Sequence, residues 1–328
     1  MQRLSAYQLP WATDWSALFG DPSDAPRPLI VEIGFGRGTY LLYLAKQHPD
    51  ANIVGLEIAN RCLTAAENAI RRERLANVRV IHSRAETALH HLFKPASIAQ
   101  IHVNFPDPWF KPGHSHRRLM QRDTLDAIVS RLAPGGELYL ATDILAYAEM
   151  SADLLAETPQ LDNLLPDHWV NVMPGRITTK YEAIAQAEGR TCYYFAYRRS
   201  DVPAPPVPVI EDLPMPHIVF TSPLTLEEAH ARFEPFHYSH GETHIHFMSA
   251  YLGKNGLLVE THVGEPTITQ RIALLVSERG GGEYTLQMSM LGQPRATAGV
   301  HRAVTLLGDW LLALEPTATI LKRKVASG

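Results

Sequence analysis

The chain has 328 residues, 45% of them apolar and 20% charged, with a formal net charge of −4. That length exceeds what one hydrophobic core usually serves and predicts two domains. Two cysteines exclude a disulfide framework, and no apolar run is long enough for a signal peptide at Met1–Pro10 or for a membrane span anywhere, so a cytoplasmic protein is expected.

The charge is unevenly spread. Residues 201–328 hold nine Lys/Arg against thirteen Asp/Glu, which leaves twenty-one of each in residues 1–200. Within the neutral part, basic residues gather at Arg71, Arg72, Arg74 and Arg79, and again at Lys111, Arg117, Arg118 and Arg122. Local clusters decide what a surface attracts. Taken alone, each reads first as a solvated helix face.

In chain order, Leu29–Ile33, Asn52–Leu56, Val78–Ile81, Ala99–Phe105 and Glu137–Ala141 read as buried strands. Amphipathic helical stretches at Thr39–Gln47, Ala59–Glu73, Glu86–Leu92 and Arg117–Leu132 alternate with them, which predicts an α/β domain around a mostly parallel sheet over residues 1–200. Residues 201–216 carry six prolines and predict an extended linker, because proline removes the donors a ladder needs. Beyond it, alternating runs at Thr243–Tyr251, Gly256–His262, Ile272–Glu278 and Glu283–Leu291, then a helical pattern over Val300–Leu314, predict a small α+β domain across 217–328.

The chemistry-bearing residues sit at predicted strand ends. Gly34, Gly36 and Gly38 follow the first strand, where glycine permits positive φ and close approach of backbone to a ligand. Glu32 stands just before them. A dinucleotide loop offers amides to a pyrophosphate, which an adjacent carboxylate would repel, so Glu32 points to a cationic ligand instead. Glu57 ends the second strand about 20 residues past the glycines, the position from which an acid reaches ribose hydroxyls. The fourth strand runs into Asn104-Phe105-Pro106-Asp107-Pro108-Trp109, a loop stiffened by two prolines that aims Asp107 and Trp109 at whatever lies over the bound ligand. His114, His116, Arg117 and Arg118 follow as a segment suited to phosphates. Asp143 closes the fifth strand, and Thr179, Lys180, Tyr181 and Glu182 group four functional side chains.

Glu32–Gly38, Gly55–Glu57, Phe105–Trp109 with Lys111, His116–Arg118, Ala141–Asp143 and Thr179–Glu182 together closely resemble the bacterial tRNA (guanine-N7-)-methyltransferases across about residues 29–199. The resemblance implies a Rossmann-like class I methyltransferase domain, S-adenosylmethionine as methyl donor, and a guanosine in the tRNA variable loop as substrate. It places Glu32, Glu57, Arg84 and Asp107 on the cofactor side. Lys111, Asp143, Thr179, Lys180, Tyr181 and Glu182 match substrate-contacting positions, and Pro112–Arg118 an RNA-contacting stretch. Arg84 departs from the family, which usually has Asp or Asn there; arginine can stack on adenine but cannot accept its amino hydrogens. Pro112-Gly113 interrupts a run that is normally more basic.

Guanine N7 already carries a lone pair, so the site needs alignment and a negative environment more than a strong base. Asp107 is therefore assigned as the organising carboxylate, Lys111 and Lys180 as phosphate partners, and Tyr181 or Trp109 as a stacking surface for the base. Methylation of another RNA base, or a non-catalytic RNA-binding scaffold of the same fold, are the competing readings, and a monomer and a homodimer both stay open. No metal is expected: His237, His240, His244 and His246 read as exposed histidines on a sheet, since the last two are period-two neighbours and no cysteine is near.

Overall fold

The structure, a computed structural model, describes residues 4–22, 24–109, 113 and 118–326. The chain divides into two compact units, Met1–Ile210 and Glu211–Gly328. The first unit comprises β1 (Leu4–Ser5), α1 (Trp15–Phe19), β2 (Leu29–Ile33), α2 (Thr39–Gln47), β3 (Asn52–Glu57), α3 (Asn60–Glu73), β4 (Val78–His82) and α4 (Ala85–Thr87, continued by a π-helical turn Ala88–Leu92). It continues with β5 (Ile98–Asn104), α5 (Arg122–Arg131), β6 (Leu132–Thr142), α6 (Leu145–Ala156), β7 (Leu161–Asn163), α7 (Lys180–Ala187) and β8 (Tyr193–Arg199).

These strands form one sheet in the order β1-β4-β3-β2-β5-β6-β8-β7, parallel from β1 to β6, with β8 antiparallel to both β6 and β7. Val31, Val54 and Ile101 are completely buried. Such continuous apolar runs are what a parallel sheet covered on both faces requires. α3 shows how the flanking helices are written. Leu63, Ala66 and Ile70 share one buried face, Arg71 and Arg72 project from the other, and Arg74 ends the helix in the left-handed region at φ 55°. The first basic cluster is thus largely the outer face of a helix. From β2 the chain passes to β3 on one side, while β5 joins on the other. Ligands in open α/β sheets bind at the carboxyl end of such a switch.

The proline-rich stretch is extended, but its first half is fastened to the first unit. Arg131 ends α5 fully buried, donating from Nε to the Leu89 carbonyl (2.7 Å) and from its terminal nitrogens to the Val207 (2.7 Å) and Pro208 (3.1 Å) carbonyls. Ile210 N–H donates to the His90 carbonyl at 2.9 Å. Proline cannot donate, yet its carbonyl still accepts, and the buried guanidinium uses that.

The second unit comprises β9 (His217–Thr221), α8 (Leu226–Ala231), β10 (Phe236–His240), β11 (Thr243–Gly253), β12 (Gly256–Gly264), β13 (Thr269–Gly280), β14 (Glu283–Met288), α9 (Ala298–Ala313) and β15 (Thr319–Lys324). Its sheet is antiparallel throughout, in the order β10-β11-β12-β13-β14-β9-β15. Val300, Val304, Leu307 and Leu311 of α9 share a core with Ile218, Leu274 and Leu286. Gly308 allows the close approach, because a Cβ there would come within 2.6 Å of Ile218 Cδ1. Register sets His237 opposite His246 and His246 opposite His262. Among the described residues no group of three or more His, Cys, Asp or Glu is placed to hold a metal ion, and no helix is long and apolar enough to cross a membrane. A mostly parallel α/β sheet followed by a small antiparallel α+β unit is the architecture expected from the sequence.

Candidate active site

β2, β3 and β5 deliver their carboxyl ends side by side. Gly34, Gly36 and Gly38 take φ values of 73°, 56° and 85°, so each occupies the left-handed region that side chains avoid. Gly34 N–H donates to the Leu56 carbonyl at 2.8 Å, which ties the loop to β3. The Glu57 carboxylate then binds the loop from below: Oε2 accepts from Gly36 N–H at 3.0 Å, and Oε1 accepts from Ile58 and Ala59 N–H at 2.8 and 2.9 Å. Three of the carboxylate's roughly four acceptor sites are used, leaving one for a hydroxyl. Ser83 N–H donates to the Glu57 carbonyl at 3.1 Å, bringing the turn that holds Arg84 alongside. Arg84 itself is half-exposed, with Nε 3.4 Å from Glu86.

Glu32 lies in the sheet between Gly55 and His102 and is 1% exposed. Its Oε1 accepts from Asn104 Nδ2 at 3.1 Å, and its Oε2 is buried with no partner among the described residues. Burial pushes its carboxyl up to about 8, against smaller downward pulls from the Asn104 hydrogen bond and the Arg176 charge. Burial likewise holds the neighbouring His102 down to about 3, so that ring is neutral.

Asn104 also accepts, at Oδ1, from an Arg176 terminal nitrogen at 2.8 Å. The Arg176 side chain is only 6% exposed and lies between the rings of Tyr40 (5.0 Å) and Tyr194 (4.8 Å). The same nitrogen stands 4.0 Å from Glu182 Oε2, while Glu182 Oε1 accepts from Tyr194 at 2.8 Å. A polar chain thus runs from Glu32 on β2 through Asn104 and Arg176 to Glu182 on α7. The motifs did not assign Asn104 or Arg176. Asn104 was visible as the polar residue opening the proline loop, whereas Arg176 lies in a stretch without helix or strand periodicity.

The proline loop is held at both ends in unusual backbone. Phe105 and Trp109 adopt φ 53° and 41°, which for non-glycine residues costs on the order of 1–3 kcal/mol each. Phe105 N–H is anchored to the Ala141 carbonyl at 2.7 Å, and Asp107 between the prolines is exposed. Arg118, expected against RNA, donates from Nε to the Pro108 and Trp109 carbonyls at 3.1 and 3.3 Å, so its guanidinium supports the loop. Lys111, His114, His116 and Arg117 lie outside the described residues.

Asp143, just past β6, is paired through Oδ2 with Arg190. Thr179 and Glu182 form a capping box at the start of α7. The Thr179 hydroxyl accepts from Glu182 N–H at 3.2 Å, and Glu182 Oε2 accepts from Thr179 N–H at 3.1 Å. Two of the four side chains in that motif therefore build the helix end, while Lys180 and Tyr181 are exposed.

Residues 26–195 match the model of a family described as "Putative methyltransferase". Over 310 residues the chain is 32% identical to the tRNA (guanine-N(7)-)-methyltransferase of Thermus thermophilus, spanning 92% of this chain and 94% of that one. Over 186 residues it is 40% identical to the protein of the same name from Mycobacterium avium, spanning 57% and 70%. A solved S-adenosylmethionine-dependent methyltransferase from Aquifex aeolicus overlays with a TM-score of 0.39 at 13% identity, over 52% of this chain and 82% of that one. The Thermus likeness extends into the second unit, which the motifs do not reach.

Proposed function

Because the chain belongs to the tRNA (guanine-N(7)-)-methyltransferase family, we propose that it transfers a methyl group from S-adenosylmethionine to N7 of a guanosine in the tRNA variable loop. The likeness to the Thermus enzyme over nearly the whole length carries this reading, and the switch-point site supports it. The residues present fit the methyl donor: a positive-φ glycine loop, an acid at the end of β3, and a buried carboxylate oxygen without a partner. When bound, the donor supplies an electrophilic sulfonium methyl group.

The chain's own residues then divide the work. Gly34, Gly36 and Gly38 bring backbone to the donor, Glu32 takes its ammonium, Glu57 receives a ribose hydroxyl, and Arg84 lies toward the adenine. Guanine N7 needs no deprotonation, so Asp107 acts by orienting the base and offsetting the positive charge that grows on its ring. Asp143 and Tyr181 contact the guanosine, and Thr179 and Glu182 hold the start of α7 in place. Lys111, Lys180 and the His114–Arg118 segment take phosphates. Residues 1–200 carry the chemistry, 201–216 link, and 217–328 form an accessory domain of a cytoplasmic enzyme. Nucleoside analysis of tRNA incubated with enzyme and methyl donor tests this directly. The expected product is 7-methylguanosine; 6-methyladenosine alone would overturn the reading in favour of amino-methylation.

A further inference from the structure

Of the buried polar atoms in the first unit that lack a partner among the described residues, two belong to one hydrogen-bonded chain: Glu32 Oε2, an acceptor, and Arg176 Nε, a donor. Asn104 joins the two residues, donating to Glu32 with Nδ2 and accepting from Arg176 with Oδ1. Its amide is thereby fixed, with each face serving one charge. A buried donor or acceptor left unmet is costly, and natural proteins keep such atoms sparingly. Here one of each sign lies at the carboxyl end of β2 and β5, where the methyl donor binds.

The methionine tail of that donor carries an ammonium and a carboxylate on one carbon. We propose that Glu32 and Arg176 form a zwitterion cradle, in which Arg176 Nε–H donates to the α-carboxylate while Glu32 Oε2 accepts from the α-ammonium. Part of the guanidinium is already committed. One terminal nitrogen is bonded to Asn104 and lies 4.0 Å from Glu182, and the central carbon stands over the Tyr40 and Tyr194 rings at 5.0 and 4.8 Å. The two rings hold the cation without using its N–H groups. A side chain held this firmly and still short of one acceptor is preorganised for a ligand. The Arg176 charge also pulls the Glu32 carboxyl toward the ionised form that an ammonium requires, against the burial that raises it.

The cradle rests on the identity of the methyl donor and not on which base is methylated, so its test omits tRNA. The full-length protein is titrated calorimetrically with S-adenosylhomocysteine, with the decarboxylated analogue that keeps the amine, and with 5′-methylthioadenosine, which lacks both groups. In the unaltered protein, loss of the carboxylate should weaken binding by about thirtyfold, the size of one charge-assisted hydrogen bond. In Arg176→Gln that penalty should shrink to about threefold or less, with 5′-methylthioadenosine affinity unchanged within the same factor. Arg176→Lys keeps a charge between the two tyrosines but has no Nε–H, and should also shrink the penalty if Arg176→Gln fails to fold. A penalty equal in the folded variant and the unaltered protein would overturn the proposal, as would a parallel loss of 5′-methylthioadenosine binding. So would an unaltered protein that binds the decarboxylated analogue as tightly as S-adenosylhomocysteine.

Discussion

Asp107 stands on a loop whose ends, Phe105 and Trp109, are both held at positive φ and whose carbonyls are tied back by Arg118. Rigidity of that kind places a charge without reorganisation, so the carboxylate acts chiefly where charge develops. Asp107→Asn keeps the shape and removes the charge, and should lower kcat on the order of a hundredfold with little change in donor affinity. Lys111→Ala should instead raise KM for tRNA and flatten its salt dependence. Single-turnover rates at saturating tRNA separate the two; a normal rate for Asp107→Asn would reassign the roles. Glu32 makes a different prediction, about stability. Its carboxyl is raised from 4.5 to about 8 by burial, so between those values the folded chain holds a proton that the unfolded chain has released. Stability should therefore fall as pH rises through that window. Glu32→Gln, neutral throughout, should be more stable than the ligand-free parent at pH 8.5 by on the order of 3 kcal/mol relative to their difference at pH 5. Thermal melts of both at the two pH values settle it, and parallel curves would place Glu32 in a wetter setting than its burial indicates.

The turn after β3 and the glycine loop after β2 behave as one element because Glu57 bonds to both. Glu57→Ala should weaken donor binding by about 1–3 kcal/mol, through a lost ligand contact and a loosened loop together. Titration calorimetry reads this, and unchanged affinity would remove Glu57 from the site. The bounds of β2 and α2 were legible to the residue, since continuous apolar runs and amphipathic periodicity mark them directly. β8 was not singled out, because Tyr193–Arg199 is an antiparallel strand late in a parallel pattern. α6 was missed for a related reason: Leu145–Ala156 is apolar around most of its circumference and lacks a clear polar face. The Thr-Lys-Tyr-Glu run was read for its functional groups, although Thr and Glu three residues apart also spell a helix start. Arg176 could not be found from spacing at all. Its meaning comes from Asn104, which is 72 residues away along the chain.

At the scale of the molecule, the first unit does not stop where its chemical motifs stop. Arg131 draws Val207 and Pro208 onto α5, and Ile210 is bonded to His90. A chain ending at Ile210 should fold and bind S-adenosylmethionine. One ending at Ser200 leaves a buried guanidinium short of two acceptors, a loss on the order of 2–4 kcal/mol, and should melt about 5–10 °C lower. Equal melting temperatures would mean that Arg131 finds water or other carbonyls when the strap is gone. The strap also leaves a mark that can be read across relatives without any experiment. A family member whose chain ends before this proline-rich stretch has no carbonyls to offer at that place, and a lone arginine buried there would be a liability. The position equivalent to Arg131 should then hold a side chain that needs no partner, and arginine there should travel through evolution together with the residues that answer it.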